Sequence, residues 1–174
     1  SLRGHPKVSI YQKEQWEGKR EMVNAPLRVI SRPCILVEMD ADELWSARQL
    51  ETLRRMFITQ PGRNCADFEC NYYVGLNLVV VREKNVWTNH PAWEWRRAWR
   101  FNPGNEFERH EPPVMAGVVR SPFTQDETRR AGLVFNHYAY TTEAQVRFKE
   151  EYYGYAGAVD AWRRLQVNQV WPTP

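Results

Sequence analysis

Apolar and polar positions divide the chain into short alternating segments. KVSIY, Lys7 to Tyr11, reads as a short strand. Trp16 to Ile30 has helical composition, and Pro26 within it predicts a new turn or a kink, because proline brings no N–H to the helical ladder. Ile35 to Met39 is an apolar run bounded by Pro33 and Asp40 and reads as a buried strand. Ser46 to Phe57 is helical: Ala47, Leu50, Leu53 and Phe57 fall on one face, and Arg48, Glu51 and Arg55 face away. Gln60-Pro61-Gly62 stops that helix.

Ala66 to Val81 is rich in aromatic and branched residues and predicts one long strand, or a bulged pair broken at Gly75. Trp95 to Phe101 and Leu133 to Tyr140 read as further strands. A helix begins at Thr142, which has capping-box spacing to Gln145, and runs to about Tyr153. A final short helix covers Ala158 to Leu165, and residues 166–174 are expected to fray. A strand–helix–strand–helix start followed by strands predicts a single domain of α/β or α+β type over residues 1–174. In an open α/β sheet, ligands sit at the C-terminal ends of strands, where Asp40 stands.

Composition adds one point to this picture. Eight tryptophans and 8 tyrosines stand against 9 glycines. Aromatic side chains fill cores, but they also line ligand clefts, where sugar rings stack on them. The net charge of +3 is spread along the chain and is compatible with anionic ligands, so nucleic acid is not an expected partner. The 3 cysteines form no CxxC and no even framework, which leaves reduced thiols as the expectation. No apolar run has the length of a membrane span, and the first residues lack a signal-peptide layout. A soluble cytoplasmic protein is therefore expected.

The candidate chemistry begins in ILVEMDADELW, Ile35 to Trp45. Asp40 and Asp42 are one residue apart at the end of an apolar strand, so their carboxylates can converge. Like charges that close raise each other's pKa unless a cation is present, and a hard divalent cation takes such oxygen ligands. The alternative is an acidic helix cap, a role that suits Glu43 in particular. His137 ends a short apolar strand, where a histidine is more often a packed side chain than a ligand. Glu111, in HEPP, reads as a general base on a loop stiffened by two prolines, or as a member of a surface cluster with His110, Arg109 or Arg120.

With these residues in place, the chain resembles glycosyltransferases of the GT-A fold, in the broad family 2 type. ILVEMDADELW resembles their D-x-D segment, and EQWEGKREMVNAPL the helix before it. HEPP resembles the site of their acceptor-facing acid. FNHYAY followed by AQVRFKEEYYGY resembles a C-terminal segment whose histidine completes the metal site. The resemblance implies a GT-A-like, Rossmann-like mixed sheet flanked by helices. It implies Mn²⁺ or Mg²⁺ on Asp40, Asp42 and His137, with Glu111 as the base of an inverting transfer from a nucleotide-diphosphate sugar to an acceptor hydroxyl. Arg96, Arg97, Arg100 and Lys149 become phosphate contacts, with Arg100, Lys149 and Asp40 as the cofactor-binding set. Trp45, Trp93, Trp95, Tyr72, Tyr138 and Tyr153 become candidate pocket walls. In such proteins two βα units normally precede the D-x-D. Only 39 residues precede Asp40 here, so the fold is expected to be N-terminally shortened: either a truncated or divergent form, or one whose missing half a protein partner supplies. The other expectation is a non-catalytic relative that binds saccharide or protein.

Overall fold

A computed structural model describes residues 4–75, 79–80, 95–110, 113–118 and 120–167. Helix α1 (Lys19–Asn24) and a 3-10 turn (Pro26–Val29) precede β1 (Cys34–Val37) and β2 (Glu43–Leu44). Helix α2 (Ala47–Thr59) leads to β3 (Cys65–Asp67), β4 (Cys70–Val74) and β5 (Val79–Val80). Then follow β6 (Arg96–Phe101), β7 (Phe107–His110), β8 (Pro113–Met115), β9 (Pro122–Phe123) and α3 (Gln125–Arg130). Strand β10 (Phe135–Tyr140), α4 (Glu143–Tyr153) and α5 (Ala158–Val167) complete the described chain.

The strands form two mixed four-stranded sheets, β1-β6-β3-β9 and β2-β10-β4-β5, beside the β7-β8 ribbon. In the first, β6 is antiparallel to both neighbours and β3 is parallel to β9. In the second, β10 is antiparallel to β2 and parallel to β4. The fold is thus mixed α/β, with mixed sheets flanked by helices. It differs from the open α/β sheet that placed Asp40 at a strand-end crevice. Strand β1 is antiparallel to its neighbour, and the acidic segment is the crossover from the first sheet to the second.

Local chemistry explains the elements. Helix α2 starts at a capping box: Ser46 Oγ accepts from the Gln49 N–H at 3.2 Å, and Gln49 Oε1 accepts from the Ser46 N–H at 2.8 Å. Its Leu53 and Phe57 are buried as the periodicity predicts, whereas Ala47 is exposed in the first turn. Trp45 belongs to the same core, stacked on Phe135 at 4.7 Å and edge-on to Phe68 at 5.0 Å. Ala66 and Ala98 face that core, and their chain neighbours Cys65 and Trp99 face a second core with Phe101, Phe107 and Met115. Asn24 ties α1 to this second core: its Nδ2 donates to the Phe107 carbonyl at 3.0 Å and its Oδ1 accepts from the Phe107 N–H at 2.7 Å.

Several expectations give way. Lys7 to Tyr11 forms no strand: it is largely exposed, and no described strand runs beside it. The stretch from Ala66 is no single strand: the expected break at Gly75 does divide β4 from the antiparallel β5, but the chain also changes sheets at Phe68 and Glu69, because β3 bonds to β6 while β4 bonds to β10. The segment from Trp16 to Ile30 is helical only from Lys19, after Gly18 at φ 110°, and Pro26 restarts it as a 3-10 turn. Residues 166 and 167 of the expected tail are helical, and 168–174 lie outside the described residues, as does Trp93. Strands β7 to β9 and helix α3 have no counterpart in the sequence expectations. No described helix is long and apolar enough to cross a membrane.

Candidate functional site

The register of β2 against β10 builds the site. Glu43 pairs with His137 and Leu44 with Asn136, and the Tyr138 N–H donates to the Asp42 carbonyl at 2.8 Å. This ladder brings Asp42 beside His137, whose Nε2 lies 3.4 Å from Asp42 Oδ1. Along β10, Phe135, His137 and Ala139 point inward by strand alternation. His137 is therefore both a packed histidine and a cleft residue. The rings of Tyr72 and Trp95 meet it edge-on at 5.1 and 5.3 Å. Its Nδ1 is buried and meets no hydrogen-bond partner among the described residues.

The pair opens into a cleft of about 650 Å³. Asp40, Asp42, His137 and Lys149 all line it, with Lys19, Arg97 and His110 adding further charge and hydrogen-bonding capacity. Tyr72, Trp95, Tyr140, Tyr153 and Tyr155 give it aromatic walls. Lys149 Nζ sits 4.4 Å over the Tyr140 ring. Burial pulls its pKa below the usual lysine value, with Asp42 opposing. The hydrogen bond from His137 holds the Asp42 carboxyl below its usual range, against the effect of burial.

The acidic segment is largely neutralised from within. Arg97, on β6, donates from Nε to Glu43 Oε1 at 2.7 Å and from Nη2 to Asp40 Oδ2 at 3.1 Å. Burial works against the Arg97 charge, but Glu43, Asp40 and Glu38 outweigh it and hold the guanidinium more firmly protonated than usual. The Glu43 side chain is fully buried and also accepts from Trp45 Nε1 at 3.3 Å; it serves the β2 crossover and caps no helix, since Ser46 caps α2. Burial raises its pKa, with Arg97 pulling the other way.

The expected three-ligand metal seat is only partly assembled. Asp42 and His137 come together, while the Asp40 carboxylate is taken by Arg97. Among the described residues, no group of three or more His, Cys, Asp and Glu side chains is placed to hold a metal ion. The remaining pair does fit two positions on one ion. A divalent ion there would be held by one Asp42 oxygen and by His137 Nε2, now 3.4 Å apart, with the imidazole proton moved to Nδ1, which meets no acceptor among the described residues.

Other expected residues fall elsewhere. Arg100 does not line the cleft: its guanidinium donates to the carbonyls of Phe57, Gln60 and Arg63 and staples the end of α2 to β6. Arg96 is paired with Asp67, Trp45 lies in the core, and Tyr138 stacks on Tyr73 at 4.5 Å. Glu111 lies outside the described residues. The structure adds a pair that the sequence did not suggest, a hydrogen bond between His110 Nε2 and Glu38 Oε1. It joins β7 to the end of β1, contacts too remote in sequence to be read from spacing. Comparisons with protein-family models, with curated proteins and with solved structures return no match.

Proposed function

We propose that this chain is a glycosyltransferase domain of the GT-A type that transfers a sugar from a nucleotide-diphosphate sugar to an acceptor hydroxyl with Mn²⁺ or Mg²⁺. The observation that carries this reading is convergence. Asp40, Asp42, His137 and Lys149 come from the sheet crossover, β10 and α4, and all four face one aromatic-walled cleft. Asp42 and His137 are the residues that would hold the cation. When bound, the cation stabilises the charge that develops on the departing diphosphate. Lys149 supplies a point charge for the phosphates, and Arg97 positions Asp40. Glu111 is assigned the removal of the acceptor proton, and one base with direct displacement inverts the anomeric centre.

Thermal unfolding with Mn²⁺ plus UDP or GDP tests the reading. A stabilisation that needs both cation and nucleotide and is lost in Asp42→Ala supports it. No shift with any nucleoside diphosphate refutes it. Full transfer activity in Glu111→Gln would remove Glu111 as the base.

A second reading, a non-catalytic saccharide-binding domain, has one observation in its favour. Phe148, Tyr152, Tyr153 and Tyr155 are all about half exposed or more and touch in sequence, ring to ring at 4.8 to 5.5 Å. Two of them line the cleft and offer faces to sugar rings without any chemistry. Oligosaccharide binding with no response to cation and nucleotide would select this reading.

A further inference from the structure

A second cavity, of about 260 Å³, shares no lining residue with the first. Its floor is Trp99, Met115 and Val118, with Cys65 beside them and Arg96 and Arg120 on its wall. Arg96 is 7% exposed and grips Asp67 with two of its nitrogens, Nε to Oδ1 at 2.7 Å and Nη2 to Oδ2 at 3.1 Å. Its third nitrogen, Nη1, meets no partner among the described residues, yet it is not sealed from solvent. Arg96 is also one of the residues that line the cavity. Arg120 approaches the same carboxylate more loosely, Nη2 to Oδ2 at 3.6 Å, and its side chain is 56% exposed. One carboxylate thus faces two guanidiniums, and Arg109 lines the same cavity, which leaves positive charge beside an apolar floor. Burial pushes the Cys65 thiol up, so it stays a neutral wall at physiological pH.

We propose that this cavity binds a small organic anion. Its carboxylate or phosphate oxygens accept from Arg96 Nη1 and from Arg120, and its aryl or branched-acyl body lies against Trp99, Met115 and Val118. Forked donors suit either oxyanion, and the apolar floor adds contact that a bare inorganic ion cannot use. The proposal does not depend on the function assigned to the first cleft.

Isothermal titration of the full chain with benzoate and phenyl phosphate tests it, with inorganic phosphate and benzyl alcohol as controls. We expect at least one aromatic anion to bind saturably at one site, with a Kd on the order of millimolar for so few atoms. The preferred anion distinguishes carboxylate from phosphate. Arg120→Ala should weaken binding about tenfold, as loss of a charge-assisted hydrogen bond does. Val118→Trp, which fills the floor, should abolish it, and Asp42→Ala in the other cleft should leave it unchanged. Arg120 is exposed enough to be replaced without disturbing the core. The proposal is overturned if neither aromatic anion binds, if a control binds as tightly, or if Arg120→Ala binds as the parent does.

Discussion

Replacing Arg97 by methionine isolates the charge that organises the sheet crossover. Methionine keeps much of the apolar stem and removes the guanidinium. In the parent, the side chains of Arg97 and Glu43 are 6% and 0% exposed, so Glu43 would be left as a buried carboxylate without its cation. Asp40, 29% exposed, can turn to water instead. Breaking a buried ion pair from one side costs about 3–5 kcal/mol. With a urea m-value of roughly 1–3 kcal/mol/M, the midpoint should fall by about 2 M at pH 8.

The pH dependence separates charge from packing. Burial already holds the Glu43 carboxyl above its usual value of 4.5, and Arg97 is what restrains that rise. Without Arg97 the folded-state pKa climbs further. A carboxyl whose folded pKa exceeds its unfolded one destabilises the fold above the folded pKa. As pH falls through that value, the folded state takes up the proton first and the penalty shrinks, until the group is protonated in both states. The deficit of Arg97→Met relative to the parent should therefore be smaller at pH 5 than at pH 8, by urea unfolding followed by circular dichroism. Adding Glu43→Gln should recover most of it at pH 8. An equal deficit at both pH values, with no recovery from Glu43→Gln, would show that the guanidinium charge does not organise this segment.

Other regions give independent expectations. Asn24→Ala strands the N–H and carbonyl of Phe107 in a buried site and should cost about 1–3 kcal/mol for each group left unpaired, measured by urea unfolding. Hydrogen bonds from Arg163 and Arg147 hold the Glu143 carboxyl down at about 2. Its contribution to joining α4 and α5 is present above the usual 4.5 and lost as pH falls toward 2, and Arg163→Ala should move its NMR titration upward. Cys34 is exposed and Cys65 buried, and burial pushes the Cys70 thiol up to about 12. At pH 8 a disulfide reagent should label one thiol rapidly, and Cys34→Ser should remove that phase.

Local signals carried much of the fold. Thr142 was readable as a helix start because a capping box is a matter of three-residue spacing. Leu53 and Phe57 were readable as core because a helix repeats its face. Ala66 to Val81 was misread for the opposite reason. Its continuous apolar character cannot show that Asp67 bonds to one sheet and Cys70 to another. The site divides in the same way. Asp42 and His137 could be nominated by type and by resemblance, yet their meeting depends on the β2–β10 register. The partner that takes Asp40 is Arg97, 57 residues away, on a strand whose neighbour in space is β1. Arg100 was misassigned because a strand's arginines look alike in sequence. Here Arg96, Arg97 and Arg100 go to Asp67, to Asp40 with Glu43, and to backbone carbonyls.

That division changes the argument for a cation. Asp40 and Asp42, one residue apart at a strand end, call for a cation to relieve their repulsion, but Arg97 already supplies one to Asp40. Around the cleft, the described cations Lys19, Arg97 and Lys149 are matched by Asp40, Asp42 and the Glu43 behind Arg97. A diphosphate entering such a wall gains little net attraction and meets the Asp42 carboxylate directly. A divalent ion on Asp42 and His137 would reverse that, adding two positive charges where the phosphates approach. On the proposed function, then, the cation is needed to admit the ligand more than to settle the protein. Cation and nucleotide should bind with strong mutual dependence, each weakly alone. Titrating Mn²⁺ into the chain with and without UDP or GDP measures this coupling directly. Equal Mn²⁺ affinity in both titrations would show that the cleft does not use its acids in this way.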